Sequence, residues 1–435
     1  MAARTPDPRP RRFALALAGI ALLGFAVRLA YALAADLPKG IGDDLWYHEV
    51  ALGLFERGFS DPFVSIGSGG DIQLGTGGEE IPTAFHAPLF PWLLAAVSEL
   101  GADSYRAHQV VAAALGTGTV AIAGLIGRRL GGDRLGLLAA AAAAVYLPLA
   151  INDSFVMSES LYGLLVAATL LLVLRLRERP SGGRALALGA VLGLAALTRT
   201  EALLLAALLV PLVWTAGERR VRSLALVAVG IAVLVLPWCV RNSLVFDRPV
   251  GIVTGAGSIV AGANTDSTYH GRLLGAWDPL GPYETASGRT PGRDEPEQSE
   301  RWRREAGEYV GDHLGRLPVV VAARVGRTWS LYPLSPVEKA RFASDYYRRI
   351  RAVEYLALAA FVLALGLAAV GVRAIRRGRP GVPLWLFLAP AVLVTAVSAV
   401  GYGDLRFRQA ADVSIAVLAA VGAARTLDSW RTGGA

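Results

Sequence analysis

Two adjacent aspartates, Asp43 and Asp44, stand a few residues after the first long apolar segment of the chain. They precede residues 47–59, whose apolar spacing predicts a short amphipathic helix at a membrane surface. Asp44 suits the N-cap of that helix, which is the ordinary structural role of an aspartate in such a position. An N-cap accounts for one carboxylate only. The pair therefore suggests a general base with a neighbour that positions a substrate or a metal ion.

His86 is the only histidine of the stretch 85–92, where it precedes two prolines. The prolines permit a short helix to begin just after them, and residues 89–100 are apolar but too few to span a bilayer. We expect this segment to lie in the interface, with Trp92 as an aromatic anchor. The glycine-rich stretch 67–78 that precedes it is predicted to be flexible. His86 is either a structural histidine or a contact for a phosphate or carboxylate.

Further polar residues recur where apolar segments end. Those on the same side as the Asp pair are Asn152, Asp153, Ser158, Glu159, Arg199, Glu201, Arg241, Asn242, Asp404, Arg406 and Arg408. Taken singly, each is an interfacial residue that extends its polar group to water. Taken together, they suggest a cavity, because charges inside membranes normally face one and pair with each other. Arginine forks suit phosphate oxygens, and Arg406 and Arg408 would point the same way in an extended approach to the next helix.

The elements that position these residues are predicted to be membrane helices. Of the 435 residues, 54% are apolar and 18% are charged, against about 25% charged in an average soluble chain. The mean hydropathy is +0.46, which excludes a disordered chain, a coiled coil and a disulfide-rich secreted domain. The lone Cys239 rules out an intrachain disulfide and a cysteine metal cluster. The net charge is +8, and many of the arginines that produce it stand at the ends of apolar segments. Membrane topology explains these arginines better than binding of nucleic acid does.

Ten membrane helices are predicted, with approximate spans 13–35, 107–128, 134–151, 154–175, 183–198, 200–216, 221–240, 352–373, 382–402 and 409–425. Arginines follow every second span, so both termini are placed in the cytoplasm, and the first span is interpreted as a retained signal anchor. The predicted organisation has three parts. They are an N-terminal membrane module over 1–240 with a first extracytoplasmic loop (36–106), an extracytoplasmic loop domain over 241–351, and C-terminal membrane helices over 352–435.

Six motifs in this order resemble the polyprenyl-phosphate-sugar-dependent glycosyltransferases of the GT-C superfamily, and most closely the protein mannosyltransferase and aminoarabinose-transferase branch, often labelled family 39-like. The motifs are G-D-D-x-W-Y-H-x-x-A at 42–51, H-A-P-L-F-P at 86–91, S-E-S-L-Y at 158–162, L-T-R-T-E-A at 197–202, W-C-V-R-N at 238–242 and G-D-L-R-F-R at 403–408. The segment 262–277 also resembles actinobacterial members.

The resemblance implies an all-α polytopic membrane protein with a GT-C type transmembrane helix bundle of about ten helices and two large extracytoplasmic loops. It implies an inverting hexosyl- or pentosyltransferase. Such an enzyme would move a sugar from a polyprenyl-phosphate-linked donor to a cell-envelope acceptor, which is a glycan, a lipid or a protein. The expected location is the inner (plasma) membrane, with the active site on the extracytoplasmic face and no nucleic acid as a partner.

The resemblance also implies roles for individual residues. Asp43 matches the proposed base and Asp44 the second acid. The substrate-binding candidates are Tyr47, His86, Glu159, Arg199, Glu201, Arg241, Arg406 and Arg408. No cofactor is required, although a divalent cation, Mg²⁺ or Mn²⁺, held by Asp43, Asp44 and Glu159 is an alternative. The chain departs from the family's usual Asp-Glu at Asp43-Asp44 and from its double proline at Ala87-Pro88.

Two other classes of function remain open from the residues alone. A transporter or lipid flippase would account for the helices and the charges but not for two large loops on one face. A non-catalytic partner in envelope assembly is the other alternative. The aromatic residues of the second loop belong either to its core or to a surface that stacks sugars; they are Tyr269, Trp277, Tyr283, Trp302 and Trp329.

Overall fold

The computed structural model describes residues 8–35, 42–66, 72–74, 79–281, 294–332, 351–378 and 381–432. Apolar helices dominate this part of the chain. The helices are α1 (Pro8–Ala34), α2 (Asp43–Arg57), α3 (Leu89–Ser98), α4 (Tyr105–Val145), α5 (Leu147–Asn152), α6 (Glu159–Glu178), α7 (Gly182–Ala196), α8 (Ala202–Trp214), α9 (Arg220–Val245), α10 (Ala256–Ala263), α11 (Asp266–Tyr269), α12 (Glu295–Asp312), α13 (Leu317–Thr328), α14 (Arg351–Gly378), α15 (Leu384–Val400) and α16 (Gln409–Thr432), with a 3₁₀ turn at Leu405–Arg408.

The ten predicted membrane helices all correspond to helices of the structure. Six helices of the described residues are long and apolar enough to cross a membrane. One of them, α4, contains the predicted span 107–128 and most of 134–151, whose last residues form α5. Three further spans are the shorter apolar helices α7, α8 and α15. The predicted all-α polytopic membrane fold is confirmed, because hydropathy reports directly which segments can lie in lipid.

Helix α4 is a hairpin of two helices that turns at a pair of glycines. Gly131 and Gly132 leave helical geometry, and Gly132 has a φ of 79°, a left-handed value that favours glycine. The two arms pack closely, since a Cβ on Gly127 would lie 2.6 Å from Ala139 Cβ. This hairpin brings the chain back, so that α5 and the start of α6 lie at the same end of the bundle as Asp43.

Small residues also allow the C-terminal helices to pack against each other. A Cβ on Gly371 of α14 would meet the Leu418 carbonyl of α16, and a Cβ on Gly422 would meet the Leu367 carbonyl. Helices in lipid associate through such small-residue contacts. Helix α16 therefore lies in the middle of the bundle, with almost all of its residues 410–420 buried.

Both long loops emerge at one end of the bundle, here called the loop end. The first loop contains α2, α3 and a three-stranded antiparallel sheet in the order β2-β1-β3, formed by β1 (Ser60–Ile66), β2 (Ile72–Leu74) and β3 (Glu79–Pro82). The sheet differs from the flexible stretch predicted over 67–78: within it, 72–74 form a strand, and 67–71 and 75–78 lie outside the described residues. The second loop contains α10 to α13, and its predicted aromatic Tyr283 lies outside the described residues.

A buried polar contact ties the first helix to the centre of the bundle near the loop end. Arg28 Nε donates to Asp153 Oδ2 at 2.8 Å, and both side chains are fully buried. Gln409 Nε2 donates to Asp153 Oδ1 at 2.7 Å, while a Cβ on Gly116 would collide with this pair. Asn152 also contributes, since its Nδ2 donates to Gln409 Oε1 at 3.1 Å. Two of the predicted interfacial residues thus hold helices together, and the pairing of Asp153 with Arg28 avoids a costly unpaired charge.

The predicted orientation places two glycines, Gly307 and Gly378, on opposite sides of the membrane. Both have room for a new side chain. Gly307 in the second loop and Gly378 at the end of α14 have no atom within 4 Å of an added Cβ. In a Cys239→Ser background, we expect Gly307→Cys to react with a membrane-impermeant maleimide in intact cells and Gly378→Cys to react only after the membrane is opened. The reverse pattern would contradict the orientation assigned from the arginines.

Candidate active site

Asp43 lies in the first turn of α2 and faces a cation from the other end of the chain. Arg406 Nη1 donates to Asp43 Oδ2 at 2.8 Å, and His86 Nε2 lies 3.7 Å from Asp43 Oδ1. The Asp43 side chain is 37% exposed, so a substrate group has access to it. Burial opposes ionisation of Asp43, but the charges of Arg406 and Arg199, and of His86 once it is protonated in acid, more than offset this and lower the pKa of Asp43 to about 2.

Arg406 is held in place by the turn that precedes α16. The Asp404 side chain caps the 3₁₀ turn by accepting from the Arg406 backbone N–H at 3.0 Å. Arg406 Nη2 donates to the Tyr402 hydroxyl at 2.8 Å, and its Nε lies 3.6 Å from Glu159 Oε1. The guanidinium therefore bridges the start of α2 and the start of α6.

A second arginine completes an alternating row of charges. Arg199, between α7 and α8, donates from Nη1 to Glu159 Oε1 at 2.7 Å and from Nε to Glu201 Oε1 at 2.5 Å. Glu159 is almost fully buried in the first turn of α6, where the helix dipole favours an anion. The row Asp43–Arg406–Glu159–Arg199–Glu201 is here called the charge row. It joins five of the residues predicted from the sequence.

His86 and Tyr47 form the apolar wall beside Asp43. The His86 ring lies 4.6 Å from the Trp46 ring and 5.0 Å from the Tyr47 ring, centroid to centroid. Burial lowers the pKa of His86 to about 4 in spite of the nearby Asp43 carboxylate, so the imidazole is neutral at pH 7. The Tyr47 hydroxyl donates to Ser158 Oγ at 3.2 Å and thereby joins α2 to the residue before Glu159.

Asp44 points away from Asp43. Its side chain is fully buried and accepts from the Tyr105 hydroxyl at 2.7 Å. The helix begins at Asp43, earlier than predicted, and its N-cap is Gly42, so the N-cap interpretation of Asp44 is wrong. The carboxylate instead anchors α2 to the start of α4.

Arg408 does not share the direction of Arg406. The expectation that the two point the same way is wrong because the segment forms a 3₁₀ turn rather than an extended strand. Arg408 Nε donates to Asp412 Oδ1 at 3.1 Å and Nη1 to Ser330 Oγ at 3.2 Å, and its guanidinium carbon stacks 3.7 Å from the Phe361 ring centre.

Arg241 also lies apart from the charge row. It donates from Nη1 to the Thr83 carbonyl at 3.0 Å and from Nη2 to the Phe59 carbonyl at 3.2 Å. Its guanidinium stacks against Trp238 at 4.8 Å. These contacts connect the end of α9 to strand β3 of the first loop.

The predicted metal ligands do not fit a metal ion as they are arranged. Asp44 faces Tyr105, whereas Asp43 and Glu159 each accept from an arginine. Within the described ranges, no group of three or more His, Cys, Asp or Glu side chains could hold a metal ion. The donor set suits arginine pairing rather than a hard cation, which would need several free oxygens at one point.

Two contributors to the site were not among the predicted site residues. Tyr402 orients Arg406 through its hydroxyl, and burial raises its pKa to about 12, so the phenol keeps its proton. Tyr105 holds Asp44. Tyr402 stands next to the G-D-L-R-F-R motif, which was a usable signal. Tyr105 had none, since a tyrosine at the start of an apolar helix is ordinary at an interface.

Comparison with known proteins supports the resemblance stated from the motifs. The profile of the dolichyl-phosphate-mannose-protein mannosyltransferase family matches residues 85–240. This segment includes the His86 turn, Glu159, Arg199 and Glu201, so the resemblance is confirmed for that part of the chain. No curated protein matches the sequence.

The fold resembles solved membrane enzymes over nearly the whole chain. The archaeal oligosaccharyltransferase AglB from Archaeoglobus fulgidus, in complex with an inhibitory peptide and a dolichol-phosphate, has a TM-score of 0.58 and 14% identity over 97% of this chain and 51% of that one. The Archaeoglobus fulgidus oligosaccharyltransferase in the apo form has a TM-score of 0.55 and 14% identity over 96% of this chain and 51% of that one. ArnT from Cupriavidus metallidurans bound to undecaprenyl phosphate has a TM-score of 0.43 and 17% identity over 96% of this chain and 78% of that one. The chain spans about half the length of AglB, and the predicted GT-C type bundle is confirmed.

The different environments of the two arginines predict different effects of their removal. Arg408→Ala leaves the fully buried Asp412 without its cation, which costs about 3–5 kcal/mol for a buried pair. Arg406→Ala leaves Asp43 partly exposed to water and costs less. Thermal unfolding of the detergent-purified proteins should therefore show a clearly lower Tm for Arg408→Ala than for Arg406→Ala. Equal Tm shifts would contradict this assignment.

Proposed function

We propose that the protein is an integral-membrane inverting glycosyltransferase that moves a sugar from a polyprenyl-phosphate-linked donor to an extracytoplasmic acceptor. The observation that carries the proposal is the charge row at the loop end of a GT-C type bundle. It presents a partly exposed carboxylate, Asp43, 2.8 Å from an arginine. The ordered motifs and the family match over 85–240 support the same class.

Asp43 acts as the general base in this proposal. Its carboxylate is reachable from the loop end, where an acceptor hydroxyl approaches. The hydroxyl oxygen attacks the anomeric carbon while its proton passes to Asp43, and the bond to the phosphate oxygen breaks on the opposite side. A single displacement of this kind inverts the anomeric configuration, and the lipid phosphate leaves with the bonding electron pair.

Arg406 stabilises the leaving phosphate. The Arg406 side chain is 23% exposed, so an incoming phosphate oxygen can reach the guanidinium and compete with Asp43 for it. Arg199 provides a second positive charge on the other side of Glu159. Arginine forks match phosphate oxygens, and in a site shielded from water such contacts act strongly on a developing charge.

The low pKa of Asp43 couples its role as the base to the role of Arg406 in phosphate binding. A carboxylate with a pKa of about 2 is a weak base in isolation. When a donor phosphate engages Arg406, it competes for the charge that holds the pKa of Asp43 down, so donor binding strengthens the base. Positioning and leaving-group stabilisation supply the rest of the rate enhancement.

The basic ends of alternate helices support an extracytoplasmic orientation for the loop end and a plasma-membrane location. Lipid-linked sugars are accessible there to a site that opens beside membrane helices. The sugar is a hexose or a pentose, and the acceptor is a glycan, a lipid or a protein of the envelope. The charge row lies at the loop end rather than at mid-membrane, which favours an enzyme over a transporter or a flippase.

Replacement of the base tests the proposal most directly. Asp43→Asn keeps the shape of the side chain but cannot take the proton, so turnover should fall about 10²–10⁴-fold while donor binding is retained. Sugar transfer from a purified lipid-phosphate donor measures this. The matched control is Asp266→Asn in the second loop, whose carboxylate is 88% exposed and should leave turnover unchanged. Near-normal turnover in Asp43→Asn would exclude Asp43 as the base.

The pH dependence of kcat/KM provides a second test. Because the pKa of Asp43 is lowered to about 2, the carboxylate stays ionised in the free enzyme and the rate should show no acid limb between pH 8 and about pH 4. Arg406→Gln removes the main charge that lowers this pKa, so the pKa should rise and the acid limb of the profile should shift to higher pH than in the wild-type protein. An unchanged profile would contradict the pairing.

A further inference from the structure

Four hydrogen bonds of Thr83, three positions before the histidine, hold the His86 turn in place. Its N–H donates to the Phe59 carbonyl at 2.9 Å, and its carbonyl accepts from Arg241 at 3.0 Å. Its hydroxyl donates to Glu295 Oε1 at 2.7 Å and accepts from the Phe85 N–H at 3.0 Å. Every polar group of Thr83 is therefore used, and the direction in which the chain leaves β3 is fixed.

Glu295 connects the second loop to the hydrogen bonds around Thr83. It is the first residue of α12, and its Oε2 accepts from the Ala84 N–H at 2.8 Å and from the Thr254 hydroxyl at 2.6 Å. The backbones also pair, since the Thr254 N–H donates to the Ala84 carbonyl at 2.9 Å. Gly255 allows the close approach, because a Cβ there would lie 2.5 Å from the Phe85 carbonyl oxygen.

The second loop holds the Arg406 turn at another point. The Gly403 N–H donates to the Gly275 carbonyl at 2.9 Å, and a Cβ on Gly403 would collide with the Arg324 carbonyl. The Arg324 side chain spans the junction: Nη1 donates to the carbonyls of Ala399 and Val400 at the end of α15, at 3.2 and 3.3 Å. A cation at a helix C-terminus is favoured by the helix dipole.

Arg324 is fixed from the side of the second loop as well. Its Nη2 donates to the Ala263 carbonyl at 2.6 Å and to Asn264 Oδ1 at 2.9 Å, and the Tyr269 hydroxyl donates to the same Asn264 oxygen at 2.8 Å. These residues belong to the 262–277 segment singled out in the sequence. Their contacts show that the segment forms a socket for the Arg324 side chain.

We propose that the second loop sets how the His86 imidazole, which lies 3.7 Å from the Asp43 carboxylate, and the phosphate-binding Arg406 are placed relative to each other. It does so by holding the His86 turn through Glu295 and the Arg406 turn through Arg324. The two are positioning residues, since neither contacts the charge row. The proposal rests on the proposed function for its effect on rate. A misplacement of about 1 Å in a reacting geometry can cost about 10²-fold in rate, so loosening either hold should reduce turnover without removing the charges that bind the donor.

The variants change each hold separately. Glu295→Gln keeps the shape but removes the negative charge, so its bonds to the Ala84 N–H and the two threonine hydroxyls lose their charge assistance, and one hydroxyl must turn round to accept from the new amide. Arg324→Lys keeps the charge and loses the fork that joins α15 to the socket. The matched controls are Glu297→Gln, whose exposed carboxylate pairs with Arg301 on the same helix, and Arg303→Lys on the exposed face of α12.

Hydrogen exchange reads the positions without reference to activity. In Glu295→Gln we expect faster amide exchange at 83–88 and not at 401–408, and in Arg324→Lys the opposite, while both controls exchange as the wild-type protein does. Steady-state kinetics should show kcat reduced about tenfold or more, with the donor KM within about twofold of wild type. Unchanged exchange in the two turns, or faster exchange with unchanged kcat, would overturn the proposal.

A second pair of variants guards against misfolding. Thr83→Val removes only the hydroxyl and should reproduce the exchange and the kcat of Glu295→Gln, whereas Thr83→Ser restores the hydroxyl and should recover both. Loss of kcat that Thr83→Ser does not recover would overturn the proposal for the His86 turn. If the wild-type protein transfers no sugar from a lipid-phosphate donor, the proposed function fails, and the exchange data alone decide whether the second loop holds the two turns.

Discussion

The ion pair between Asp43 and Arg406 is the contact on which the rest of the site depends. It joins residues 363 positions apart, and through Arg406 it reaches Glu159 and Arg199. At the end of an apolar bundle, a lone charge loses solvation that only an opposite charge or hydrogen bonds can replace. Carboxylates and arginines alternate along the charge row, so every member has a neighbour of opposite charge. This pairing brings the starts of α2, α6 and α16 together.

The same pairing limits the chemistry. The arginine that holds the Asp43 side chain in place also helps to lower the pKa of Asp43 to about 2. A carboxylate with so low a pKa is a weaker base. A phosphate that engages the arginine relieves this cost and gains a charge-assisted contact. In the proposed reaction this arrangement would link the two substrates, because binding of the donor phosphate would raise the proton affinity of the carboxylate that serves the acceptor.

The sequence predicted the parts of the structure that depend on hydropathy and alternation. The ten spans and the shared end of Asp43, Glu159, Arg199, Glu201 and Arg406 follow from counting apolar segments, because each crossing reverses direction. Side-chain direction could not be predicted in this way. A 3₁₀ turn sends Arg408 inward to Asp412, and the helix start at Asp43 turns Asp44 toward Tyr105, although both residues stand next to functional candidates in the chain.

The contacts that the sequence hid most completely are those in the second loop, because they run through backbone groups. Glu295 accepts from one backbone N–H and two hydroxyls, and Arg324 donates mainly to carbonyls. Backbone groups are the same in every sequence, so no pattern of residue types marks them. Hydrophobic burial places helices in lipid but tolerates small sliding, whereas hydrogen bonds fix distance and direction within a few tenths of an ångström. The bundle thus brings the charges together, and the loops outside it determine how accurately they face each other.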